Sequence, residues 1–170
     1  KEILSILKNR FPNYNMQSEE EGIIQKGSDY TFVIDPLDGT NNFMLGIPNF
    51  CVSIALLYKK EPIAGVIYHP ILEQTYFAKS GNGAFLDEKQ IKVGDTIDPK
   101  KMTVAYACGY TTNRNYLSNI MSSLTKNNHK RILTSWAVAN DLCLLASGKI
   151  ESMILDGNEL HDYSAGKLIA

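Results

Sequence analysis

The chain has 170 residues, 44% of them hydrophobic and 21% charged, with 17 Lys and Arg against 18 Asp and Glu and a formal net charge of −1. This length and balance suit a medium globular domain able to bury a substantial core. They exclude a general electrostatic pull toward nucleic acid or anionic membrane, so any recognition of an anionic group would have to be local.

Glu2 to Arg10 places Ile3, Leu4, Ile6 and Leu7 between polar residues, which predicts an amphipathic helix ended by Phe11-Pro12-Asn13. An acidic run, Glu19-Glu20-Glu21-Gly22, opens a polar stretch that lasts through Asp29. Tyr30 to Ile34 is β-branched and aromatic and predicts a short strand ending at Asp35. Cys51 to Leu57 is a continuous apolar run, as in a strand buried on both faces. Ile63–Tyr68 and Gln74–Ala78 predict two further strands, turned by His69-Pro70 and by Ser80-Gly81-Asn82-Gly83. Beyond Asp98, Thr103–Cys108 predicts a strand and Asn113–Asn127 a helix. Ala137–Ser147 predicts an apolar helix stopped by Gly148, Ser152–Leu155 a strand, and Asp162–Ile169 a last helix. There are no repeats or evident linkers, and the intermixed elements predict α+β layers over a mixed sheet. Cys51, Cys108 and Cys143 match no zinc or disulfide spacing, and Cys51 and Cys143 read as small buried hydrophobes in a reducing compartment. Neither a signal peptide nor a long apolar span is present, which predicts a cytoplasmic location, although the chain opens at Lys1 rather than a methionine.

The chemistry concentrates at Asp35-Pro36-Leu37-Asp38-Gly39-Thr40. Two aspartates three residues apart make an oxygen-rich corner, Pro36 stiffens it, and Gly39 permits close backbone approach. Gly39-Thr40-Asn41-Asn42 can open a helix whose free N–H groups meet an anion. Oxygen donors of this kind suit Mg²⁺. The same residues equally favour a plain turn. Glu19, Glu20 and Glu21 read by themselves as a solvated acidic face, and Asp162 as a helix-capping or first-turn acid. His69 and His129 read as surface or loop residues.

Taken together the segments resemble the inositol monophosphatase family. Val33-Ile34-Asp35-Pro36-Leu37-Asp38-Gly39-Thr40-Asn41-Asn42-Phe43 is similar to its first signature, and Ser18-Glu19-Glu20-Glu21-Gly22 to its upstream acidic segment. Asp141 to Gly148 with His161-Asp162-Tyr163-Ser164-Ala165-Gly166 resembles its second signature. Gly65-Val66-Ile67-Tyr68-His69-Pro70 and Gly81-Asn82-Gly83-Ala84-Phe85 also fall where the family has similar segments.

The resemblance implies a layered α/β/α sandwich with mixed sheets, shared with fructose-1,6-bisphosphatases. Residues 1–170 would be a single, partial domain of it, because family members continue at both ends. It implies a Mg²⁺-dependent, lithium-sensitive phosphomonoesterase in which a metal-activated water attacks a small sugar or inositol phosphate. Fructose-1,6-bisphosphatase or histidinol-phosphatase activity, or a catalytically silent metal- or ligand-binding relative, are the alternatives. Glu19, Asp35, Asp38, Asp162 and the Leu37 carbonyl would hold metal, with Glu20 the neighbour to test if Glu19 proves silent. Gly39 and Thr40 would hold phosphate, and Glu19 and Thr40 would orient the water. A small phosphorylated metabolite, no nucleic acid, no membrane and a homodimer complete the expectation. Three positions depart from the family pattern. His161 stands where tryptophan is usual. Trp136-Ala137-Val138 replaces a Gly-Ser/Thr-Ala segment. Leu155 replaces the acid that grips inositol hydroxyls, with Asp156 adjacent.

Overall fold

The computed structural model describes residues 1–170. Eight strands form one sheet: β1 (Asn15–Ser18), β2 (Gly22–Ile24), β3 (Tyr30–Asp38), β4 (Cys51–Tyr58), β5 (Glu61–His69), β6 (Gln74–Lys79), β7 (Ala84–Leu86) and β8 (Lys89–Ile91), in the order β2-β1-β3-β4-β5-β6-β7-β8. Its pairs are antiparallel except β1 with β3, which is parallel. A second, three-stranded parallel sheet sets β9 (Thr103–Cys108) between β10 (Arg131–Leu133) and β11 (Ser152–Asp156). The helices are α1 (Glu2–Arg10), α2 (Thr40–Leu45), α3 (Arg114–Lys126), α4 (Val138–Ala146) and α5 (Leu160–Ile169). None of them is long and apolar enough to cross a membrane.

Strand alternation divides the core. On β3, Phe32 and Ile34 join Leu4 of α1 and Met16 of β1 in one cluster, with Ile54 and Leu56 of β4 against it. Val33 faces the other way and joins Cys51, Ala55 and Leu57 of β4 with Ala139 and Cys143 of α4 and Ala165 and Ile169 of α5. The large sheet therefore carries α1 on one face and the α4–α5 pair on the other. The far side of α4 packs Val138 and Leu142 against Ala107 of β9 and Met153 of β11. A second sheet thus extends the α/β/α order that the resemblance implies.

Most expected elements form, with instructive differences. The strand expected to end at Asp35 continues to Asp38. The polar stretch after the acidic run contains β2, and β1, β7, β8 and β10 are short strands with little apolar signal. β4 is fully buried on one face and half-buried on the other for most of its length. His69, read from sequence as surface or loop, is buried at the end of β5, where its Nδ1 accepts from the Leu72 amide at 3.3 Å. The period-2 pattern of β5 turns it inward with Gly65 and Ile67.

Candidate metal centre

Register builds the site. β1 runs parallel to β3 with Ser18 opposite Ile34, so Glu19, whose amide donates to the Ile34 carbonyl at 3.2 Å, emerges beside Asp35. Asp35 shares the face of Val33, toward α4 and α5. In a regular strand Asp38, an odd number of residues away, would point to the opposite face. It does not, because Asp35 lies opposite Ser53 and Asp38 opposite Cys51, so three steps on β3 answer two on β4. This bulge absorbs Pro36, which has no N–H to give the ladder, and re-aims Asp38 toward the same side. The Leu37 amide donates to Asp35 Oδ1 at 2.9 Å, which fixes the corner from within.

Two helix starts converge on these acids. The amides of Val138, Ala139 and Asn140 at the start of α4 donate to the Asp38 carboxylate at 2.9, 3.0 and 3.3 Å, and the Cys51 thiol lies 3.4 Å from its Oδ2. Asp38 therefore caps a helix whose own N-cap, Ala137, has no capping side chain. At the start of α5, Glu159 and Asp162 form a reciprocal capping box, with Asp162 Oδ2 accepting from the Glu159 amide at 2.7 Å. That leaves Asp162 Oδ1 3.3 Å from His161 Nε2. Glu19, Asp35 and His161 each place one donor atom within 4.8 Å of the others.

The electrostatics of this cluster are unbalanced. Burial first, then the charges of Asp38 and Glu19, raise Asp35 well above the carboxylate range, opposed by the Leu37 amide. Asp38 is pushed up to about 7, chiefly by burial with the Asp162 charge adding, against the Cys51 thiol and the α4 amides. No lysine or arginine pairs with Glu19, Asp35, Asp38 or Asp162. Buried acids with no basic partner need a proton or a cation, and the oxygen-rich donor set fits a divalent one. Burial raises the Cys51 and Cys143 thiols well above their usual range, which leaves both inert as nucleophiles.

The acidic run splits as the strand ends: Glu21 pairs with Lys8 at 3.4 Å, Glu20 is exposed, and only Glu19 joins the centre. Thr40 begins α2 and its Oγ1 donates to the Leu37 carbonyl at 3.0 Å. Gly39 is left-handed at φ 88°, and a side chain there would meet the Asn49 carbonyl oxygen at 2.8 Å and the Ala137 Cβ at 3.2 Å. Asn42 and Asn49 tie this loop to the Ser135 carbonyl at 2.7 and 3.3 Å.

Trp136 stands beside this loop, exposed and left-handed at φ 59°. Leu155 is exposed on β11, while Asp156 accepts from the Tyr106 hydroxyl at 2.6 Å and is not free. Sequence reasoning missed the clamp of α4 on Asp38 and the place of His161 among the acids. The first had a signal, since an apolar helix starting at Ala137 offers no capping side chain of its own.

Fold and site together define a layered α/β protein with a buried carboxylate centre where a bulged strand meets two helix starts. The chain belongs to the inositol monophosphatase family, whose model matches residues 1–170. It is 36% identical over 158 residues to the fructose-1,6-bisphosphatase of Pyrococcus furiosus, covering 92% of this chain and 58% of that one. It is 32% identical over 173 residues to the inositol-1-monophosphatase of Mesorhizobium japonicum, covering 98% and 64%. The structure of the extragenic suppressor protein suhB from Bartonella henselae superposes with a TM-score of 0.92 at 31% identity, covering 98% of this chain and 65% of that one. The chain thus spans less than two thirds of the length of these relatives.

Proposed function

We propose that the chain carries the centre of a Mg²⁺-dependent phosphomonoesterase acting on a small sugar or inositol phosphate. The observation that carries this reading is the meeting of Glu19 and Asp35 within 4.8 Å, with the charge of Asp38 acting on Asp35 and that of Asp162 on Asp38, and no lysine or arginine to balance them. These acids and the Leu37 carbonyl would hold the cations. Bound there, the cations would neutralise phosphate charge, lower the pKa of the attacking water and stabilise the leaving alkoxide.

The chain's own groups supply position. Gly39 and Thr40 open α2, where first-turn amides have no acceptor within the helix and can meet phosphate oxygens. Thr40 donates its hydroxyl proton to the Leu37 carbonyl, so its oxygen is turned to accept from water. Glu19, at the exposed edge of the cluster, accepts from the same water and aligns it on phosphorus. No side-chain nucleophile is required.

The leaving-group pocket departs most from the family. Trp136 and Leu155 stand where the resemblance expects a small segment and a hydroxyl-gripping acid, which moves the substrate away from myo-inositol 1-phosphate. Fructose-1,6-bisphosphatase and histidinol-phosphatase activities fit the same corner. The same two residues favour a second reading, a metal-binding relative without catalysis. A cytoplasmic homodimer, lithium-sensitive and independent of nucleic acid or membrane, goes with the enzymatic reading.

The test is phosphate release by the full-length protein from a panel of sugar, inositol and histidinol phosphates, with and without Mg²⁺, beside Asp35→Asn. Metal-dependent release lost in the variant is expected. Mg²⁺ binding without release from any substrate would leave the silent relative as the correct reading.

A further inference from the structure

We propose that His161 is a direct ligand of the metal centre, giving it one nitrogen donor and a higher affinity for borderline divalent ions such as Zn²⁺ or Co²⁺ than its oxygen donors alone would supply. The inference rests on the reading of the corner as a metal centre. His161 is the second residue of α5, and its side chain is only 9% exposed. Its ring nitrogens face carboxylates, Nε2 lying 3.3 Å from Asp162 Oδ1 and Nδ1 3.8 Å from Glu159 Oε2. A neutral imidazole set among carboxylates can give a ring-nitrogen lone pair to a cation that they share. One ring nitrogen lies within 4.8 Å of carboxylate oxygens of both Glu19 and Asp35. A cation with bonds of about 2.1 Å closes that spread with small side-chain rotations.

Donor chemistry then sets the gain in affinity. Carboxylate, carbonyl and water suit Mg²⁺, whereas imidazole raises affinity along the series toward Zn²⁺. Asp162 is adjacent in sequence and spends one oxygen on the α5 capping box, leaving the other beside the ring. The two neighbours can therefore share one cation from the same helix turn.

The test measures binding of Mg²⁺, Mn²⁺ and Zn²⁺ to the full-length protein by calorimetry, with pulsed electron paramagnetic resonance on the Mn²⁺ complex. Wild type, His161→Phe and His161→Trp are compared, and circular dichroism establishes that each variant is folded. A directly coordinated nitrogen should appear in wild type and vanish in both variants. Zn²⁺ affinity should fall by about tenfold or more, while Mg²⁺ affinity changes little. Mn²⁺ bound without a nitrogen signal, or equal loss of Zn²⁺ and Mg²⁺ affinity, would overturn the role of His161 and leave the metal centre standing. Failure of wild type to bind any of the three would overturn the metal centre itself.

Discussion

Trp136 holds a left-handed backbone at φ 59° with its indole 58% exposed. For a bulky side chain that conformation costs about 1–2 kcal/mol, and an exposed ring recovers little of it by burial. Trp136→Gly should therefore raise stability by about 1 kcal/mol, less the entropy glycine adds to the unfolded chain. Its thermal midpoint should rise, substrate preference should shift, and Mg²⁺ affinity should stay unchanged. A lowered midpoint would mean that the indole is held by contacts its exposure does not suggest. Asp141 is a second strained group, 1% exposed, with Oδ1 accepting from Ser135 Oγ at 2.7 Å and Oδ2 without a partner. Burial pushes it up to about 6, against the Ser135 hydrogen bond. The folded state thus keeps this proton in a window, roughly pH 4 to 6, where the unfolded chain has lost it. Stability from this group falls as pH rises through that window and stays low above it. Asp141→Asn should accordingly be more stable than wild type at pH 8, by an amount of order 1–3 kcal/mol, and the gap should close by pH 4. Urea unfolding at the two pH values measures the difference.

At the level of elements, the site depends on how closely α5 lies on the sheet. A side chain at Gly65 of β5 would stand 3.0 Å from the Cα and 3.1 Å from the carbonyl oxygen of Ala165. Those are backbone atoms, so relief requires α5 to move, and α5 carries His161 and Asp162. Gly65→Ala should cost about 1–3 kcal/mol and weaken Mg²⁺ binding together with the thermal midpoint; a loss of stability alone would separate helix seating from the centre. The same scale explains what could be read without coordinates. β3, β4, β5 and α4 are legible because their apolar runs and caps are local properties of the chain. Short strands such as β2 and β10 exist only because a neighbour supplies their hydrogen bonds, and Gly22-Ile23-Ile24 carries no alternation to announce one. At the site, Asp35 and Asp38 were visible as a pair, but spacing alone sends them to opposite faces; the bulge that reunites them is a product of pairing with β4. The nearness of Glu19 follows from a parallel register, and that of His161 from helix docking, neither of which is local.

Across the whole molecule, the centre joins pieces that secondary structure leaves separate: the end of β1, the bulged end of β3 and the start of α5. Asp38 adds a structural duty, since three amides of α4 rest on its carboxylate. The acids therefore divide into two kinds with opposite effects on the metal-free protein. Asp38→Ala removes the acceptor of buried helix amides and should cost about 2–4 kcal/mol with or without cation. Asp35→Asn removes a buried acid that, without a cation, must take up a proton because burial and two acidic neighbours disfavour its charge, so it should stabilise the metal-free protein. Mg²⁺ at a hundred times its Kd should stabilise wild type by about 2.7 kcal/mol, since it binds only the assembled layers, and Asp35→Asn should lose that response. Denaturant unfolding of the three proteins in EDTA and in Mg²⁺ gives both comparisons at once. If Asp35→Asn were destabilised in EDTA as much as Asp38→Ala, the two acids would share a structural role, and the repulsion that argues for a cation would be absent.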